Sequence, residues 1–129
     1  MWRVALYARQ GPARQGRHIL ERQVTRLAAH VARQPGWRHV ATYADQSVAR
    51  PWRRPGMCRL LADAPWSFDV VVVESYGQLS PNRRDLDCVL GQLAAVGVHT
   101  VVLPPRAGRR LATLVANLAL ADLVGDAVR

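Results

Sequence analysis

The chain has 129 residues, 50% of them hydrophobic and 21% charged, and its 18 basic residues, all arginine, stand against nine acids for a net charge of +9. A chain of this length and composition supports one core of ordinary domain size, which excludes a disordered or fibrous polymer. No stretch reaches 18 consecutive apolar residues, and the start MWRVALYARQG carries no secretory pattern, so the chain is expected in the cytoplasm with no membrane partner.

Trp2 to Ala8 is a short apolar run ending in polar Arg9-Gln10-Gly11-Pro12, which predicts a first strand and a loop. From about Gly16 to Gln34, Leu20, Val24, Leu27 and Val31 recur at helical spacing among Arg17, Arg22, Arg26 and Arg33, an amphipathic helix closed near Pro35-Gly36. Trp37 to Ala44 predicts a second strand with Asp45 at its C-terminal end. Asp45 to Pro55, with Arg50-Pro51-Trp52-Arg53-Arg54-Pro55, predicts a mobile loop leading to a short helix that turns Met57, Leu60 and Leu61 to the core. Phe68-Asp69-Val70-Val71-Val72-Val73 is the strongest strand, its valine run suited to a parallel strand buried on both faces. Gly77 to Asn82 is a second polar loop. Leu86, Val89, Leu90 and Leu93 mark a helix closed by Gly97, and Val98 to Leu103 predicts a fourth strand ended by Pro104-Pro105. A final helical run from 108 to about 124 carries Leu111, Leu114, Val115, Leu118 and Ala121 on one stripe, apolar nearly all round, which favours a homodimer or a related partner chain.

Strands alternating with helices predict an α/β domain with a mostly parallel sheet. Ligands of such sheets gather beyond the C-terminal strand ends, which selects Arg9 to Gly16, Asp45 to Arg54 and Glu74 to Arg84. No GxGxxG follows the first strand and no Walker-type GK[ST] occurs, so a nucleotide-binding motif is not supported. Cys58 and Cys88 form no CxxC pair and are expected as buried free thiols. His18, His30, His39 and His99 are scattered without metal-ligand spacing, so neither a metal nor another cofactor is expected. Residues 1 to 60 hold 12 arginines against Glu21 and Asp45, whereas residues 61 to 129 hold 6 against seven acids. A surface that faces a polyanion is therefore expected from the first half, with Arg9, Arg50, Arg53 and Arg54 tracking a phosphate backbone. Trp52 is expected to anchor its loop, with base stacking as the other reading.

Taken together, Tyr7-Ala8-Arg9, Asp45-Gln46-Ser47 with Arg54-Pro55-Gly56-Met57, the stretch Asp69 to Pro81, and Gly108-Arg109 resemble the N-terminal catalytic domain of resolvase and invertase type serine recombinases. The resemblance covers nearly the whole chain in the family's order. It implies a three-layer domain with a C-terminal dimerisation helix, DNA as substrate, a serine nucleophile and arginines around the attacked phosphate. It also implies a further DNA-binding domain that this chain, ending at Arg129, is expected to lack.

Matched motif to motif, the family's serine falls on Gly11, the acid and arginines of its D-R-L-S-R loop fall on Gly77, Gln78 and Pro81, and a glutamate-arginine pair falls on Asp122-Leu123. Glycine has no hydroxyl to attack phosphorus, and neither Gln78 nor Pro81 brings countercharge. Arg9 and Arg54 survive, with Asp45 and Ser80 as lesser matches. The expectation is a degenerate site that binds DNA weakly and does not cleave it. Two other readings stay open: an active recombinase using Ser47, Ser75 or Ser80, and a dimerisation or regulatory protein with no nucleic-acid contact.

Overall fold

The computed structural model describes residues 1–104. Within them a four-stranded sheet has the order β2-β1-β3-β4, formed by β1 (Trp2–Gln10), β2 (Trp37–Gln46), β3 (Val70–Val73) and β4 (His99–Val102). Every described strand pairing is parallel, as the alternation of strands and helices predicts. The expected helix around Leu111, Leu114, Leu118 and Ala121 lies outside the described residues.

Side chains of β1 and β3 divide between two cores because successive residues of a strand point to opposite faces. Val4, Leu6, Ala8, Val70 and Val72 meet α1 (Gly16–Ala32), whose Leu27 and Val31 are buried and whose Leu20 and Val24 pack alongside. Ala5, Tyr7, Val71 and Val73 face α2 (Pro55–Ser67) and α4 (Arg83–Ala95) through Met57, Leu60, Val89 and Leu93. Four valines in sequence fit β3 because that strand is covered on both sides, which relieves it of any polar alternation.

Helix α4 ends in a Schellman turn. Gly97 has φ +81, its amide donates to the Ala94 carbonyl, and the Val98 amide donates to the Leu93 carbonyl. The segment between β2 and α2 is more structured than a mobile loop: Pro51–Arg53 forms a 3₁₀ turn, and Pro51 and Arg54 are buried. A short helix not expected from the sequence, α3 (Tyr76–Leu79), occupies the loop after β3. The thiols are free but both exposed, which corrects the expectation of burial; Cys58 Sγ donates to the Trp52 carbonyl. Among the described residues no helix is long and apolar enough to cross a membrane.

Candidate anion site

Helix α1 leaves β1 on one face of the sheet and α2 leads into β3 on the other, so the connections diverge between β1 and β3 and open a crevice at their C-terminal ends. Arg9 stands there, next to last in β1. Its Nε donates to the Gln78 carbonyl at 3.1 Å, Nη1 to the Ser47 carbonyl at 3.1 Å and Nη2 to the Gly77 carbonyl at 2.9 Å, and its amide donates to Gln78 Oε1 at 3.0 Å. One side chain thus ties β1 to α3 and to the segment after β2.

Arg54 approaches from the start of α2 and is only 1% exposed. Its Nε donates to the Ala49 carbonyl at 2.8 Å, and its Nη1 to the Leu79 carbonyl at 2.7 Å and the Gln78 carbonyl at 3.2 Å. Arg9 and Arg54 therefore share the Gln78 carbonyl oxygen, and among the described residues neither forms a salt bridge. Burial first, and the adjacent Arg54 charge second, push the Arg9 guanidinium below its ordinary pKa. A guanidinium has five N–H donors, so the three that Arg9 spends on carbonyls leave it two.

Asp45, at the C-terminal end of β2, is otherwise engaged, as is Glu74 beyond β3, which is paired with Arg26. Asp45 is 5% exposed and accepts three bonds of 2.8 Å: from the Gly56 and Met57 amides of the first turn of α2, and from the Tyr7 hydroxyl. An anion at a helix N-terminus satisfies amides that have no partner within the helix. Gly56 makes the approach feasible, since a Cβ there would lie 2.6 Å from the Ala44 carbonyl oxygen and 2.8 Å from Asp45 Oδ2. Burial is the main reason that Tyr7 titrates above its usual range; Asp45 adds to the rise and Arg54 opposes it.

The remaining expected residues separate into distinct environments. Arg50 grips Asp85 with both ends of its fork, Nε to Oδ2 at 2.9 Å and Nη2 to Oδ1 at 2.7 Å, which raises the arginine pKa and lowers that of the carboxylate. Arg53 is exposed and has no described partner. Thus the four arginines expected to face a phosphate backbone do not form one solvent-facing row: Arg54 is internal and Arg50 is paired. Gly11 borders the crevice, and a Cβ built on it would meet only Val48 Cγ1, at 3.5 Å. Pro81 is exposed beyond α3. Ser47 Oγ accepts from the Ala49 amide and Ser80 Oγ from the Asn82 amide, so both hydroxyls close local turns. Ser75 is exposed, its hydroxyl has no described hydrogen bond, and its carbonyl accepts from the Gln78 amide at 3.1 Å.

Sequence reasoning placed Tyr7 in a family-like motif without giving it a contact, and singled out neither Asp85 nor the Gln78 carbonyl. Their partners lie 38, 35 and 69 residues away along the chain, separations that leave no local spacing signal. Among the described residues no cluster of His, Cys, Asp and Glu is arranged to hold a metal.

The family described as resolvase, N terminal domain, matches residues 4–121, and the chain belongs to it. Solved structures agree in fold. The C-terminal catalytic domain of ISC1926 TnpA, an IS607-like serine recombinase, is 23% identical with a TM-score of 0.71, covering 90% of this chain and 77% of its own. The N-terminal catalytic domain of TP901-1 integrase is 23% identical with a TM-score of 0.68, covering 91% and 92%. A resolvase family site-specific recombinase from Streptococcus pneumoniae is 20% identical with a TM-score of 0.67, covering 100% and 91%. No curated protein matches the chain in sequence.

Proposed function

We propose that this resolvase-family domain grips a phosphate of the DNA backbone without cutting the strand. The observation that carries the reading is the convergence of Arg9 and Arg54 on one carbonyl oxygen with no salt-bridge partner described for either. The carboxylates nearest them, Asp45 and Asp85, are already held, Asp45 by Tyr7 and two α2 amides and Asp85 by Arg50, so the half-buried Arg9 keeps two N–H groups for an oxyanion while the charge of Arg54 acts from within. DNA is the anion in question because the family acts on it and because the positive excess of the chain lies in residues 1 to 60.

Cleavage would need a hydroxyl nucleophile, donors for the nonbridging oxygens and help for the departing oxygen. Gly11 offers no hydroxyl, the Ser47 and Ser80 oxygens accept from turn amides, no base is described in hydrogen-bond contact with these hydroxyls or with that of Ser75, and Gln78 and Pro81 bring no charge. Binding through backbone phosphates is sequence-independent and weakens as salt rises. The domain acts in the cytoplasm as a homodimer or with a related recombinase-like chain, through the stripe Leu111, Leu114, Leu118 and Ala121, and needs no cofactor.

The test is DNA binding across a salt series, with a denaturing gel run on the same samples. Arg9→Ala lowers affinity for unrelated duplexes alike, and no covalent adduct forms. A covalent adduct with the wild-type chain overturns the non-cleaving assignment, and no binding at low salt overturns the DNA assignment in favour of a dimerisation role.

A further inference from the structure

A pocket of about 420 Å³ lies between the β2–α2 segment and the first turn of α4, lined by Arg50, Arg54, Ser80, Asn82, Arg84 and Asp85 among others. Two of its three arginines are occupied: Arg50 is matched by Asp85, and Arg54 is held by carbonyls. Asp85, the carboxylate in the lining, is neutralised by that bidentate contact and so does not repel an incoming anion. Arg84 differs from both, being exposed, on the pocket wall, and without a described hydrogen bond or salt bridge. The buried charge of Arg54 at the back of the pocket forms no salt bridge among the described residues, although Asp85 lies close enough to feel it and that of Arg84; three guanidiniums against this one carboxylate leave the lining positive.

We infer that this pocket is a phosphate subsite in which Arg84 supplies the free guanidinium, one turn beyond the place where Pro81 offers no donor. The inference rests on the reading that the domain holds a phosphate. It adds a residue that the family motifs do not include, and it makes α4 as well as the strand ends part of the contact. In the first turn of α4 the Asp85 and Leu86 amides are taken by Asn82, so a phosphate monoester or a phosphodiester of a strand would be met by the Arg84 fork and the Arg83 and Arg84 amides, with the buried charge of Arg54 behind them.

Arg83 provides the internal control. It is the neighbouring residue on the same turn, its side chain is 90% exposed and 3.8 Å from Asp87, and it does not line the pocket. Arg83→Ala and Arg84→Ala therefore change net charge equally. Binding of a short DNA duplex and of inorganic pyrophosphate is measured for the wild type, both variants and Arg9→Ala over a salt series. Arg84→Ala is expected to weaken duplex binding about fivefold to tenfold and to reduce the salt slope by about 1, the signature of one lost phosphate contact. Arg83→Ala should change both by less than half as much, and Arg84→Lys should restore much of the loss. An effect on the duplex alone assigns the pocket to a nucleic-acid strand, and saturable pyrophosphate binding lost in Arg84→Ala assigns it to a small phosphorylated ligand. Equal effects of the two alanine variants overturn the subsite. Loss of duplex binding in Arg9→Ala but not in Arg84→Ala overturns it while the phosphate-gripping reading stands. Pyrophosphate binding through Arg84 without duplex binding keeps the subsite and removes DNA, and binding of neither probe overturns both.

Discussion

Replacing Asp45 by alanine removes a single carboxylate and leaves three donors without an acceptor. The Gly56 and Met57 amides and the Tyr7 hydroxyl each lie 2.8 Å from it, in a site 5% exposed. A buried polar group left unpaired costs about 1–3 kcal/mol. The Tyr7 hydroxyl can rotate and water can enter the space of the lost carboxylate, so the lower end applies and Asp45→Ala should cost about 3 kcal/mol in total. Tyr7→Phe removes one of the three donors and leaves the carboxylate two backbone partners, for about 1 kcal/mol. Urea unfolding at neutral pH, followed by far-UV circular dichroism, measures both. A loss below about 1 kcal/mol in Asp45→Ala, or a loss equal to that of Tyr7→Phe, would refute the assignment of Asp45 as the acceptor that seats α2 and, with it, Arg54.

Gly91 lies exposed within α4 with nothing within 4 Å of a built Cβ, so Gly91→Ala should stabilise the chain by about 0.8–1 kcal/mol in thermal unfolding. Gly56→Ala should destabilise it by about 2 kcal/mol or more, because the new methyl group meets backbone oxygen at 2.6 Å; a neutral result would show that α2 is not docked this closely. Gly11→Ser should leave thermal stability within about 0.5 kcal/mol, since its Cβ has room, and is expected to give no covalent adduct on a denaturing gel; an adduct would show that cationic donors at positions 78 and 81 are not needed for attack. Asp69, hydrogen-bonded by the Arg3 side chain, and Asp85, hydrogen-bonded by that of Arg50, both titrate below the ordinary carboxylate range. A lowered folded pKa means that the unfolded chain takes up these protons first, so the stabilisation is complete above about pH 5 and is lost as pH falls through the unfolded and then the folded values. The urea midpoint should fall on acidification below about pH 5, less steeply in Asp69→Asn; a midpoint that rises there contradicts the sign.

The strands and long helices were legible because each is specified by its own residues: the valine run of β3, the Leu20-Val24-Leu27-Val31 stripe of α1 and the Gly97 stop of α4 carry their periods and punctuation locally. Helix α3 was not. It has four residues, too few to form on propensity alone, and it is fastened from outside by Arg9 on the Gly77 and Gln78 carbonyls. The site was half legible for the same reason. Strand ends and the topology of a parallel sheet bring Arg9, Asp45 and Gln78 together, as the alternation implies. Arg54, in contrast, sits in a sequence rich in arginine and proline that reads as a solvated loop, and it is buried because the Ala49, Gln78 and Leu79 carbonyls require a donor. Arg50 likewise reads as a surface charge until Asp85, 35 residues later, is folded against it. The exposure of Cys58 and Cys88 follows from the outer faces of α2 and α4, which their flanking leucines determine only once the helices are docked.

The Gln78 carbonyl oxygen is a pivot on which three separate lengths of chain hang. Through Arg9 it holds the end of β1, through Arg54 the entrance of α2, and through its own peptide the loop after β3. Each guanidinium also has anchors of its own, Arg9 on the Ser47 and Gly77 carbonyls and Arg54 on the Ala49 and Leu79 carbonyls, so the three lengths are cross-braced through several carbonyls. Opening of the crevice requires several of these bonds to break in different parts of the sequence, and the Arg9, Ala49 and Ser80 amides, with acceptors at Gln78 Oε1, Ser47 Oγ and the Tyr76 carbonyl, are the places where hydrogen exchange would follow it. An anion seated on Arg9 would add one more tie to the same rim, so that occupancy of a single oxyanion is registered as slower exchange in segments from three parts of the sequence.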